Sequence, residues 1–163
     1  MRIVLGLGSN IGDREEQLRH AIASLRSRRV DALRSASLYL TEPRDFEDQP
    51  WFINTVIEVE TELDPPGLLA QCLAVEREAG RLRNQSRGPR PIDIDILLYR
   101  ELRIQTADLT VPHPRYSDRR FVLVPLAELV PDFRDPVLKL TIQQLIERCP
   151  DTGEVRFHAP PLF

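Results

Sequence analysis

Two periods of hydrophobic and polar positions run along the chain, and the switches between them order its elements. "RIVLGLG" (residues 2–8) is an apolar run of strand length, followed by "SNIG", a turn. Asp13 with Glu16 three positions on has the form of a capping box, and Leu18, Ile22 and Leu25 follow at helical spacing, so residues 14–28 predict a helix. Residues 32–41 (ALRSASLYLT) read as a strand, and "EPRDFEDQP" (42–50) as an acidic, proline-bearing loop. "FINTVIEVETEL" (52–63) alternates as a strand does. Asp64 and Pro65 then open a helix carrying Leu68, Leu69, Leu73 and Glu76, which Gly80 ends.

After a polar loop, "RLRNQSRGPR" (81–90), the stretch "IDIDILLY" (92–99) alternates isoleucine with aspartate and then turns wholly apolar, the pattern of a half-buried strand. A second proline-bearing loop covers 107–120, and "FVLVPLAEL" (121–129) predicts a short helix with Pro125 near its first turn. Thr141 and Gln144 form a capping box for a last helix ending at Arg148, and the tail "DTGEVRFHAPPLF" is expected to be loosely ordered. No linker or repeat divides the 163 residues, so one domain is expected. The order β-α-β-β-α-β with a helical tail predicts an α+β sandwich, an antiparallel or mixed sheet with helices packed on it.

Composition narrows the classes. The formal net charge of −3 gives no general reason to expect nucleic acid as a partner. No apolar run reaches membrane-spanning length, and nothing at the start has the form of a secretory signal. Cys72 and Cys149 match no metal or redox spacing; Cys72 falls in a helical pattern as core, and a reduced, cytoplasmic setting is the simplest expectation. Of the 22 basic residues all but Lys139 are arginine, so a lone arginine carries little weight and only clusters count.

Asp93 and Asp95 carry the first chemical signal. At i and i+2 on a strand they share a face, with Cα atoms roughly 6.5–7 Å apart. A solvated strand face would mix in other polar types, whereas two short carboxylates suit Mg²⁺, which relieves their repulsion. Arg81, Arg83, Arg87 and Arg90 precede them with no acid between, and guanidinium forks grip phosphate oxygens in pairs. Together these favour a metal–polyphosphate site and a nucleoside triphosphate. "GLGSNIG" resembles a dinucleotide fingerprint only weakly, because its third glycine, Gly12, comes one residue late, and there is no P-loop. The turn Thr110–Arg115 carries His113, a candidate phosphate donor, and Arg119, Arg120 and Phe121 follow. Phe52 and Asn54 share one strand face beside a loop, where a ring and an amide can stack on and read a flat heterocycle.

"GLGSNIGD", "YLTEP…DQPWFIN", "ERE.GR.R", "RGPRPIDIDILLY", "LTVPHPR" and "RRFVLVPLAEL", in this order over residues 3 to about 130, resemble 6-hydroxymethyl-7,8-dihydropterin pyrophosphokinases of folate synthesis. The resemblance implies a ferredoxin-like fold and transfer of pyrophosphate from ATP to the pterin hydroxymethyl group, with AMP released. It implies two Mg²⁺ ions on Asp93 and Asp95, and a catalytic role for these two with Arg81 and Arg90. It places Glu76, Arg81, Arg83, Arg90, Ile96, Thr110, His113 and Arg119 about ATP. Phe52 and Phe121 would sandwich the pterin, Asn54 would read it, and Thr41, Glu42, Pro43 and Arg44 would line the same pocket. Arg44 stands where some relatives carry an apolar residue, Pro91 where threonine is common, and the 81–90 loop is one residue short. A monomer acting on small molecules is expected. An NAD-dependent oxidoreductase and a non-catalytic ferredoxin-like binding module are the rival readings, and both leave the arginine cluster beside the aspartates without a role.

Overall fold

The structure is a computed structural model that describes residues 2–45, 47–80 and 89–163. Its elements are β1 (Ile3–Ser9), α1 (Arg14–Ser27), β2 (Asp31–Ser35), β3 (Leu38–Thr41), β4 (Phe52–Glu60), α2 (Pro65–Glu78), β5 (Asp93–Tyr99), β6 (Ile104–Gln105), β7 (Thr110–Val111), α3 (Arg120–Leu129), α4 (Ile142–Arg148) and β8 (Val155–Ala159). The main sheet runs β5-β1-β4-β3-β8, with β2 also on β4, and each pairing among the described residues is antiparallel. This is the α+β sandwich that the order of patterns predicts and the ferredoxin-like arrangement that the resemblance implies.

Each face of the sheet has its own core. On one, Ile3, Leu5 and Leu7 of β1 and Ile94 and Ile96 of β5 pack with Leu18 and Leu25 of α1 and Leu68 and Cys72 of α2. On the other, Val4, Val56, Leu97 and Leu98 pack with Leu123 and Leu126 of α3 and Ile142 and Leu145 of α4. Each such side chain contributes about 1.5–3 kcal/mol by leaving water. The register of β1 against β5 shifts between Val4 and Leu5, pairing Val4 with Leu98 and Leu5 with Ile96. That bulge lets Leu97 and Leu98 serve the same core, which is why the Ile-Asp alternation ends in an unbroken apolar run.

The helix caps are those the sequence predicts. Asp13 accepts from the Glu16 N–H at 3.1 Å, Asp64 from the Gly67 N–H at 2.8 Å, and Thr141 with Gln144 closes a two-way capping box. Three expectations need correction. The 32–41 strand is two strands, broken at Ala36 and Ser37, where the Thr55 hydroxyl donates to the Ala36 carbonyl (3.0 Å) and Glu128 of α3 accepts from the Ser37 N–H (3.0 Å). Pro125 is the sixth residue of α3, past the first turn, so the Phe121 carbonyl loses its usual helical donor. The tail is ordered: β8 pairs with β3, Thr41 opposite Val155, and becomes an edge of the sheet.

Candidate active site

The helix-free end of the second face is the floor of the site. Strand alternation puts Asp93 and Asp95 of β5, Gly6 and Gly8 of β1, and Phe52 and Asn54 of β4 on that face. Gly8 pairs with Asp93 on one side and Asn54 on the other, and Gly6 with Asp95 and Val56. The glycines thus make a trough between carboxylates and amide, about two strand spacings or roughly 10 Å across. A Cβ on Gly8 would stand 2.3 Å from Asn54 Oδ1, so no other residue fits there with that rotamer. Both glycines lie inside a central strand, which disposes of the dinucleotide-loop reading; Gly12, with φ of 69°, serves the turn into α1.

This trough opens into a pocket lined by Thr41, Glu42, Pro43, Arg44, Phe52, Asn54, Arg90, Asp93, Asp95, Arg119 and Phe121, among others. The structure therefore brings together every residue assigned to the pterin, both metal candidates and two of the arginines. Asn54 donates to the Thr41 hydroxyl at 2.7 Å, which fixes which way its amide points. The Arg90 guanidinium lies 5.1 Å from the Phe52 ring centre and that of Arg119 5.6 Å from Phe121, each in cation–π range. Arg90 Nε is 3.8 Å from Asp93, and Arg119 reaches Asp45 of the 42–50 loop at 3.4 Å.

His113 and Thr110 line an adjoining pocket, and His113 Nε2 stands 4.0 Å from Asp95. Burial, helped by Arg119 and Arg115, lowers the His113 pKa to about 4 against the pull of Asp93. At neutral pH the ring is neutral, so this contact is no ion pair. Its Nδ1 accepts the Arg115 N–H at 3.2 Å, which assigns the single proton to Nε2, on the side of Asp95. Burial also lowers the pKa of Arg119, the Arg115 charge adding to it, but an arginine so shifted stays charged.

Glu76 and Ile96 lie on the opposite face: Glu76 Oε1 accepts the Ile94 N–H at 2.9 Å from beneath β5, and Ile96 is core. Arg81, Arg83 and Arg87 fall outside the described residues. Sequence reasoning missed Asn10. Its amide donates to Gln49 Oε1 (2.9 Å) and the Pro50 carbonyl (3.0 Å), and its Oδ1 accepts the Arg90 N–H (2.8 Å), joining both site loops to the end of β1. A polar residue ending a buried strand was the only signal for it.

Among the described residues no three His, Cys, Asp or Glu side chains cluster as a metal cage. Two carboxylates facing an open, arginine-rimmed pocket nonetheless fit Mg²⁺, which takes one or two carboxylates and completes its shell with phosphate and water.

Known proteins resemble the chain over most of its length. Residues 4–131 match the model of the 7,8-dihydro-6-hydroxymethylpterin-pyrophosphokinase family. The chain is 47% identical over 126 residues to 2-amino-4-hydroxy-6-hydroxymethyldihydropteridine pyrophosphokinase of Bacillus subtilis, covering 77% of this chain and 75% of that one. It is 39% identical over 150 residues to folic acid synthesis protein fol1 of Schizosaccharomyces pombe, covering 91% of this chain and a 20% share of that longer protein. Its fold matches the solved wild-type HPPK-DHPS of Plasmodium falciparum with a TM-score of 0.68 at 16% identity, over 90% of this chain and 41% of that one. With the family's model spanning most of the sequence and the paired aspartates facing the glycine-floored pocket, the chain belongs to the 7,8-dihydro-6-hydroxymethylpterin-pyrophosphokinase family.

Proposed function

We propose that the 163 residues act as a single pyrophosphokinase domain, moving pyrophosphate from ATP to 6-hydroxymethyl-7,8-dihydropterin in folate synthesis. The observation that carries this reading is the trough itself, with carboxylates along one side of Gly6 and Gly8 and a ring and an amide along the other. The pterin lies between Phe52 and Phe121, with the Asn54 amide on its polar edge. Its hydroxymethyl oxygen forms a bond to the β-phosphorus of ATP. The bond from that phosphorus to the bridging oxygen breaks, AMP leaves with that oxygen, and the hydroxyl proton is released.

Little covalent work falls to the protein in such a transfer; positioning and charge do most of it. Arg90 and Arg119, on the rim, take phosphate oxygens, as do Arg81 and Arg83 on the family pattern. His113 offers one N–H, from Nε2, to the same oxygens. Thr110 is assigned to the nucleoside side, whereas Glu76 and Ile96, buried on the covered face, support β5 from behind. Asp93 and Asp95 would hold Mg²⁺, two ions in this reading, which when bound neutralises charge on the phosphates and favours ionisation of the attacking hydroxyl. The loop at 42–50, tied to Arg115 and Arg119 through Asp45, limits water at the pterin end.

The chain is proposed to work as a monomer in the cytoplasm. Two free cysteines suit a reducing compartment, and no described helix is long and apolar enough to cross a membrane.

The test is nucleotide product analysis with ATP and 6-hydroxymethyl-7,8-dihydropterin, with and without Mg²⁺. AMP that depends on both pterin and Mg²⁺ is the expected result. ADP would mean attack at the γ-phosphorus, and no product from folded protein would refute the reading.

A further inference from the structure

The tail beyond α4 makes contacts that the proposed reaction does not by itself call for. Asp151, with its side chain only 7% exposed, divides its carboxylate between two segments that line the pocket. Oδ1 stands 3.2 Å from Arg44 Nε and accepts the Gly153 N–H at 2.8 Å. Oδ2 accepts the Arg120 N–H at 3.0 Å, at the first residue of α3. The N-cap position of α3 is Arg119, whose side chain makes no capping hydrogen bond. An acceptor is wanted at that position, and Asp151 supplies it from further along the chain.

The neighbouring residues strengthen the tie. A Cβ on Gly153 would lie 2.9 Å from Arg44 Cδ and 3.0 Å from its Nε and Nη1, so the arginine rests against bare tail backbone. The Glu42 N–H donates to the Glu154 carbonyl at 3.2 Å, and Thr41 pairs with Val155. The contacts to Arg44, Glu42 and Thr41 run to the pterin side of the pocket, and the contact to Arg120 to the start of α3.

We propose that Asp151 is a positioning residue for the pterin. It holds Arg44 on the 41–45 segment and the first residues of α3, hence Phe121, in one fixed relation, while the Arg119 side chain is held separately by Asp45. The carboxylate does not touch the reacting atoms; it sets the width of the slot into which the heterocycle slides. This rests on the pyrophosphokinase reading of the pocket.

The experiment compares the wild-type chain with Asp151→Ala and Asp151→Asn. Steady-state kinetics give KM for each substrate. Calorimetry gives the Kd of 6-hydroxymethyl-7,8-dihydropterin in the presence of Mg²⁺ and α,β-methylene-ATP, in which the scissile bridge is inert. Asp151→Ala is expected to raise pterin KM and Kd by about tenfold or more, as loss of a buried charged acceptor predicts, with ATP KM within about twofold. Asp151→Asn keeps an acceptor oxygen but loses the charge on Arg44, so its pterin constants should fall between the two. It also carries the test if the alanine variant does not fold. Pterin constants unchanged in the variants, or both substrates weakened alike, overturn the positioning role alone. A wild-type chain that binds no pterin overturns the pyrophosphokinase reading and this inference with it.

Discussion

At the scale of single residues, the site depends on what stands where no side chain can. Gly8→Ala drives a methyl into Asn54 Oδ1, 2.3 Å away, and the amide can escape only by leaving the Thr41 hydroxyl. The variant should lose about 1–3 kcal/mol of stability in urea unfolding. Its pterin affinity should fall while ATP-analogue affinity holds; unchanged pterin affinity would show that Asn54 does not read the ring. Asp95→Ala is expected to abolish AMP formation with the fold intact by circular dichroism, and near-normal turnover would remove the metal role from β5. Asp93, Asp95, Phe52 and Asn54 are legible in sequence because strand alternation is local: 93 with 95 and 52 with 54 must share faces, whereas Gly8 shows there only as part of a weak dinucleotide fingerprint. Asn10 and Asp151 are not legible, since their partners lie far along the chain, at Gln49, Pro50 and Arg90 for one and at Arg44 and Arg120 for the other. An asparagine in a turn and an aspartate in a tail look the same whether or not anything distant meets them.

At the scale of elements, local signals decided what could be read. The starts of α1, α2 and α4 are set by side chains three residues or fewer from the backbone they cap, and the structure has them as the sequence implies. α4 has only seven residues, too few to persist alone, so its capping box matters more than a cap on a long helix. Thr141→Ala should therefore cost about 1 kcal/mol of global stability by urea unfolding, with both KM values unchanged because α4 stands outside the pocket. A shift in pterin KM would mean that α3 moves with α4. β8 could not be read for the opposite reason. Its side chains are exposed or half-exposed throughout, so no hydrophobic alternation marks it, and it is a strand because β3 offers a free edge. The break between β2 and β3 is likewise set from outside, by Thr55 and Glu128.

For the whole molecule, one sheet separates a fully covered face from one that is half core and half site, and the two faces should answer differently to pH. Cys72, in the covered core, has its thiol pKa raised to about 12 by burial, with Glu76 and Asp95 adding their charge. Tyr116 and Tyr39, on the other face, are raised too, burial first and then their hydrogen bonds to Asp135 and Glu128. Each of these groups keeps its proton in the folded chain after the unfolded chain has released its own. The stability they lend is complete below the ordinary pKa and falls as pH rises past it, by up to about 1.4 kcal/mol per pH unit per group. Tyr39 is partly reached by solvent, which screens its share. The decline should thus begin near pH 9 with Cys72 and steepen above about 10 as the tyrosines join. Urea unfolding from pH 8 upward would resolve the two stages. Cys72→Ala should lower stability overall by opening a cavity, yet postpone the decline to about pH 10, whereas Tyr116→Phe should keep its onset and flatten only the later part. If the alanine variant declined from pH 9 as the wild type does, the thiol would not be held in its protonated form by the core, and the covered face would be less dry than its packing implies.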